Sequence, residues 1–123
     1  MWEPRHNHVD YAFNLLNSLG LMWSDDPFLN ESMRLHAMTK LNELWAVVWQ
    51  SMPEGHQPVC AQVFWDRLAA MLPSWGVYKI LATFGEAVNP SNDARRVDIV
   101  FQPKGWVESV LLTCSVLACH KWR

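Results

Sequence analysis

The chain has 123 residues, half of them hydrophobic and only 18% charged, with a formal net charge of −2. That is enough chain for one domain to bury a sizeable core and too apolar for a disordered segment. Its basic residues are scattered apart from Arg95 and Arg96, which argues against the clustered cationic face of a nucleic-acid binder.

Helical spacing of Val9, Ala12, Phe13, Leu16 and Leu19 predicts a first helix over about 8–19, with Asn7 as its cap and Gly20 just past its end. Asp26 followed by Pro27 is a strong helix start, because aspartate caps the first free N–H groups and proline has none to lose. Behind it Leu35, Met38, Leu41, Trp45, Val48, Trp49 and Met52 form one apolar stripe until Pro53 stops the helix. A third helix starts at Pro58, carries Ala61, Phe64, Trp65, Leu68, Met71 and Leu72 inward, and ends at Pro73.

Residues 75–88 are apolar nearly all round, the pattern of a helix enclosed by others, with Lys79, Thr83 and Glu86 on one narrow stripe. The run 94–101, "ARRVDIVF", is helix or strand by period, and we read it as helix. A last helix is expected from Trp106 to about His120, on Val107, Val110, Leu111, Cys114, Leu117 and Ala118. The expectation is therefore an all-α single domain over 1–123, six helices with a nearly all-apolar one at the centre. Nothing in it repeats.

Cys60, Cys114 and Cys119 are too few for a secreted disulfide framework, so a reducing, cytoplasmic setting is expected. The opening residues carry no signal-peptide pattern, and the last apolar run is about half the ~20 residues that cross a bilayer, so we expect no membrane span. His6, His8, His56 and His120 with the cysteines lack the two- to four-residue spacing of zinc sites. No nucleophile elbow or phosphate loop is present, and Asp25-Asp26 is explained by capping. No metal, cofactor or catalytic residue is expected; the chain reads as a binding protein rather than an enzyme.

Eight tryptophans are the unusual count. Trp45 and Trp49 lie one turn apart with Val48 and Met52 beside them, which suits a buried core and equally an aromatic, Met-bearing groove for a partner helix.

Against this background "SWGVYKILATFG", residues 74–85, resembles the first homology motif of the Bcl-2 family of apoptosis regulators. That motif is usually Asn-Trp-Gly-Arg, six mostly apolar residues, then Ser-Phe-Gly or Thr-Phe-Gly. Trp75-Gly76 and Phe84-Gly85 match it without a gap. "HVDYAFNLLNSLG" is similar to the family's first helix, the segment from Pro53 to Leu72 to its fourth, and "QPKGWVESV" to its second homology motif. The resemblance implies a Bcl-2-like helical bundle around a central apolar helix, with a shortened sixth helix, most like a minimal viral homologue.

The function it implies is inhibition of apoptosis by holding the BH3 helices of pro-death relatives such as Bim, Bak or Bax in a surface groove. Phe64 and Leu68 then line the groove, Ser74 takes the asparagine position, and Gly76 lets the partner backbone approach. Ile80 and Phe84 complete the motif's share, while Trp45, Val48, Trp49 and Met52 form the opposite wall. The motif arginine is Val77 here, so narrow specificity is expected unless Arg67 or Lys79 supplies the cation. The family's long first loop and membrane tail have no counterpart. Such a protein would work in the cytosol, of a host cell if viral, and reach mitochondria through its partners. The alternatives are a homodimerising helical scaffold without BH3 binding, and a pro-apoptotic member of the family.

Overall fold

A computed structural model of the chain describes residues 2–83 and 96–114, with the backbone alone for 77–83. Three helices come first: α1 (His6–Met22), α2 (Pro27–Ser51) and α3 (Gln57–Met71). Three strands follow: β1 (Val77–Thr83), β2 (Arg96–Phe101) and β3 (Val110–Cys114). The described chain is mostly helical, and its sheet is antiparallel in the order β1-β2-β3.

The first half folds as its punctuation dictates. Asp26 Oδ1 accepts from the backbone N–H groups of Phe28 at 3.0 Å and Leu29 at 3.2 Å, and Pro27 opens α2. α2 ends before Pro53 and α3 before Pro73, where a ring would remove the next helical hydrogen bond. At the α1–α2 turn the buried Asn30 amide grips the backbone of Ser24: its Oδ1 accepts from Ser24 N at 3.0 Å and its Nδ2 donates to Ser24 O at 2.7 Å. Removing that amide strands both groups, so Asn30→Ala is expected to cost about 2 kcal/mol. Urea denaturation midpoints at pH 7 check this.

α1 departs from expectation at both ends. It starts at His6 with no side-chain cap, and Gly20 lies inside it rather than beyond its end. Gly20 is there because of what packs against it. A Cβ at this position would sit 2.4 Å from Cζ3 of Trp75, and the Gly20 carbonyl accepts from Lys104 N at 3.3 Å.

The expected helices after Pro73 are the larger correction. In place of the central apolar helix stands β1, and the segments read as fifth and sixth helices contain β2 and β3; residues 84–88, 94–95 and 115–120 of those expectations lie outside the described residues. The all-α expectation therefore gives way to three helices packed with a small sheet. The physical reason is local. Val77, Tyr78 and Ile80 are β-branched or aromatic and fit a pleated surface. Val97, Ile99 and Phe101 are buried in strict alternation with Arg96, Asp98 and Val100, as are Val110, Leu112 and Cys114 in β3. That is a period of two, and a helix would turn those residues around its axis.

Tight turns close the sheet onto the helices. Gly76 N donates to Pro73 O at 2.7 Å, and Gly76 O accepts from Gln102 N at 3.2 Å. Gly105 takes a positive φ of 83° in the β2–β3 turn, a backbone state open to glycine. One buried cluster joins the helices to β2 and β3, with Trp45, Phe64 and Trp65 at its centre.

Candidate functional site

The residues expected to wall a groove between α2 and α3 occupy the interior instead. Trp45, Val48, Trp49, Met52, Phe64 and Leu68 are all at most 6% exposed. Trp45 meets Trp49 edge-on at 5.5 Å and Trp65 at 5.3 Å, and Phe64 meets Trp65 at 5.1 Å with their rings 89° apart. Edge-to-face rings at these distances fill the seam between the two helices. Of the two readings open for the tryptophan pair, its burial fits the core.

The other expected site residues do not gather around an opening. Arg67 and Ser74 are exposed, whereas Gly76 is buried in its own turn. A Cβ there would lie 2.8 Å from Leu72 Cβ and 3.0 Å from Pro73 O, so the space expected for a partner backbone is taken by this chain. Val77, Lys79 and Ile80 lie on β1, registered opposite Phe101, Val100 and Ile99. Phe84 lies outside the described residues.

An open groove does exist, between α1 and α2. It has a volume of about 630 Å³ and is lined by Tyr11, Asn14, Leu15, Ser18, Leu19 and Met22 of α1 with Ser32, Met33, His36 and Ala37 of α2. Leu19 and Ala37 are buried, Leu15 and Met33 half-buried, and the remaining six are exposed. The α1 positions recur at three- and four-residue steps, so one continuous stripe faces the groove. From Tyr11 to Met22 that stripe covers three turns, roughly 16 Å at 1.5 Å per residue. This stripe runs beside the core stripe of Val9, Ala12, Leu16 and Leu19. The sequence signal was the surplus: Tyr11 and Met22 are exposed apolar residues beyond the core stripe, and Leu15 is only half-buried against it.

The chemistry of the lining is uniform. None of its residues is Asp, Glu, Lys or Arg, and its polar groups are those of Tyr11, Asn14, Ser18, Ser32 and His36. Arg34, next to Met33, bonds elsewhere, to Glu31, Met38 Sδ and the Leu111 carbonyl. Among the described residues no three His, Cys, Asp or Glu side chains converge as a metal site, and no helix is long and apolar enough to cross a membrane. No family model, no curated protein and no solved structure matches this chain.

Outside the groove, burial shifts His8 and Cys114 in opposite senses. Burial, and secondarily the charge of Arg5, lower the His8 pKa. Burial, and secondarily the charge of Asp98, push the Cys114 thiol from 9.0 up to about 12. A folded-state pKa above the unfolded value means the unfolded chain ionises first, so the stability present at neutral pH falls as pH rises from about 9 toward about 12. The urea midpoint is expected to drop between pH 8 and pH 10.5, and to drop less in Cys114→Ala. An equal drop in both proteins would remove the thiol as a cause.

Proposed function

We propose that this chain is a protein-binding module that holds an amphipathic helix of about three turns in the groove between α1 and α2. The observation that carries it is the form of the groove: over three turns Tyr11, Leu15, Leu19 and Met22 descend from an exposed rim to a buried floor, and no Asp, Glu, Lys or Arg lines it. Helix-in-groove recognition uses anchors at i, i+3 or i+4 and i+7, which need about this length. Met22 and Met33 add side chains that reshape around different anchors. The rim also defines the partner. A helix whose apolar stripe is flanked by neutral polar residues leaves no charge unpaired on docking, whereas an acidic residue at the seam meets no Lys or Arg there.

The narrower reading, an inhibitor of apoptosis that sequesters BH3 helices, rests on the resemblance of residues 74–85 and shares this binding mode. Its expected walls are the buried residues described above, so it too falls to the α1/α2 groove. The aspartate of a BH3 helix would find no cation among the lining residues, which favours few partners over many. A binder of this kind acts in the cytosol and meets mitochondria through its partners.

The test is a titration of the purified protein with two peptide sets, BH3 helices and amphipathic helices with uncharged flanks. Parent protein and the variants Ser18→Arg and Ser32→Arg are compared. Both substitutions are at exposed positions, where a long side chain enters the groove without touching the core. Binding tighter than ~10 μM, about 7 kcal/mol, is expected for a helix of the second set. Each variant should lose at least about tenfold, or 1.4 kcal/mol. Peptides that bind parent and variants alike would move the site elsewhere, and no binding by either set would end the helix-capture reading. Binding confined to the BH3 set would establish the narrower function instead.

A further inference from the structure

Among the described residues, the Arg34 side chain of α2 reaches the outer edge of β3. β3 pairs with β2 on one side, Val100 opposite Leu111, and is the last strand of the described sheet. Across from it Arg34 of α2 donates from Nη1 to the Leu111 carbonyl at 3.1 Å, a bond between residues 77 apart in the chain. The other arms of the guanidinium are fixed by one carboxylate: Nε to Glu31 Oε1 and Nη2 to Glu31 Oε2, both at 2.9 Å. A bidentate pair of this kind sets the plane of the fork, and so aims the remaining nitrogen at the strand. The Leu111 side chain is 49% exposed beside this bond.

The strand needs such a cover. Residues 109–114 read Ser-Val-Leu-Leu-Thr-Cys, without a charge, a proline or a glycine. Five uncharged strand residues, Val110 and Thr113 among them β-branched, on a sheet edge are the pattern of a segment that adds to its own copies. Natural edges are blunted by a charged side chain, a proline or a bulge, and β3 carries none of these. Its protection comes from another element.

We propose that the outer edge of β3 is a strand-addition interface between copies of this chain, held shut by the Arg34 guanidinium and its Glu31 mooring. When Arg34 leaves, the Leu111 carbonyl becomes an acceptor for a second copy's edge, and exposed Leu111 side chains meet across the new pair. The occupant is the same segment of another molecule, because an uncharged strand brings no like charges together when it pairs with itself.

The experiment compares the parent protein, Arg34→Ala, Glu31→Gln and the double variant Arg34→Ala/Leu111→Lys by light scattering and thioflavin fluorescence over a concentration series. Far-UV circular dichroism on the same samples reports folding. Arg34→Ala is expected to associate at a concentration at least tenfold lower than the parent does, with Glu31→Gln in between. Adding Leu111→Lys should return the parent's behaviour, since a charge on the exposed edge position repels a second copy. If Arg34→Ala keeps the parent's mass across the series, or if Leu111→Lys fails to reverse its association, the proposal is overturned. Should Arg34→Ala fail to fold, Glu31→Gln decides: Glu31 is exposed, and an unchanged association profile overturns the proposal on its own.

Discussion

Trp45→Ala is expected to lower the unfolding free energy by about 3–5 kcal/mol, the range for removing a buried aromatic ring from a packed core. The ring is 1% exposed and stands between Trp49, Trp65 and Phe64, with centroids 5.5, 5.3 and 6.4 Å away. Three of its neighbours would face the cavity, and rigid indoles on two helices collapse into it poorly. Thermal and urea unfolding of the variant measure the loss. Trp45→Phe should retain most of the stability, because a smaller ring keeps part of the contact. The same substitution separates the two readings of the tryptophan pair. A groove wall would lose peptide affinity and keep its melting temperature, whereas a core residue loses the fold first. A melting temperature within about 2 °C of the parent would mean the indole is not buried as described, since 1 kcal/mol shifts a domain of this size by roughly 3–6 °C.

Trp65 illustrates a different balance in the same cluster. Its Nε1 is buried and has no hydrogen-bond partner among the described residues. Such an N–H costs free energy that the ring's packing offsets. The packing of Trp65 against Trp45 and Phe64 is therefore what keeps the indole there.

The sequence was most legible where local chemistry decides structure. Asp26 and Pro27 mark the start of α2, Pro53 and Pro73 stand just beyond two helices, and the stripe from Leu41 to Met52 faces inward, each for reasons contained in a few neighbouring residues. Legibility failed where a short apolar run supports two periods. Val77–Thr83 is apolar enough for an enclosed helix, and its resemblance to a helical motif reinforces that reading, yet its neighbour in space is β2. Only pairing with Arg96–Phe101, whose alternation of Arg96, Asp98 and Val100 with Val97, Ile99 and Phe101 is plain in retrospect, selects the strand. The candidate site was hidden for a related reason. Tyr11, Leu15 and Met22 lie next to a core stripe on the same helix, and only the placement of α1 against α2 decides which of the two stripes is covered.

Gly20→Val is expected to cost about 3 kcal/mol, near the upper end for overfilling a packed contact. The neighbour in the way is the half-buried Trp75 ring, whose Cζ3, Cη2 and Cε3 atoms would lie 2.4, 3.2 and 3.3 Å from an added Cβ. Ring atoms cannot give way singly, so the whole indole has to shift, and the Lys104 N–H bond to the Gly20 carbonyl resists movement of the helix itself. Gly20→Ala sharpens the test because two effects oppose. Alanine gains about 0.8–1 kcal/mol over glycine inside a helix, while the contact with Trp75 costs more, leaving a net loss in the parent. In a Trp75→Ala background the obstacle is gone and the helix gain remains, so the same Gly20→Ala change should become stabilising by up to about 1 kcal/mol. A double-mutant cycle in urea reads that reversal of sign directly. If Gly20→Ala destabilises equally in both backgrounds, the indole is not what requires glycine there, and the Trp75 of the motif has a different place in the fold.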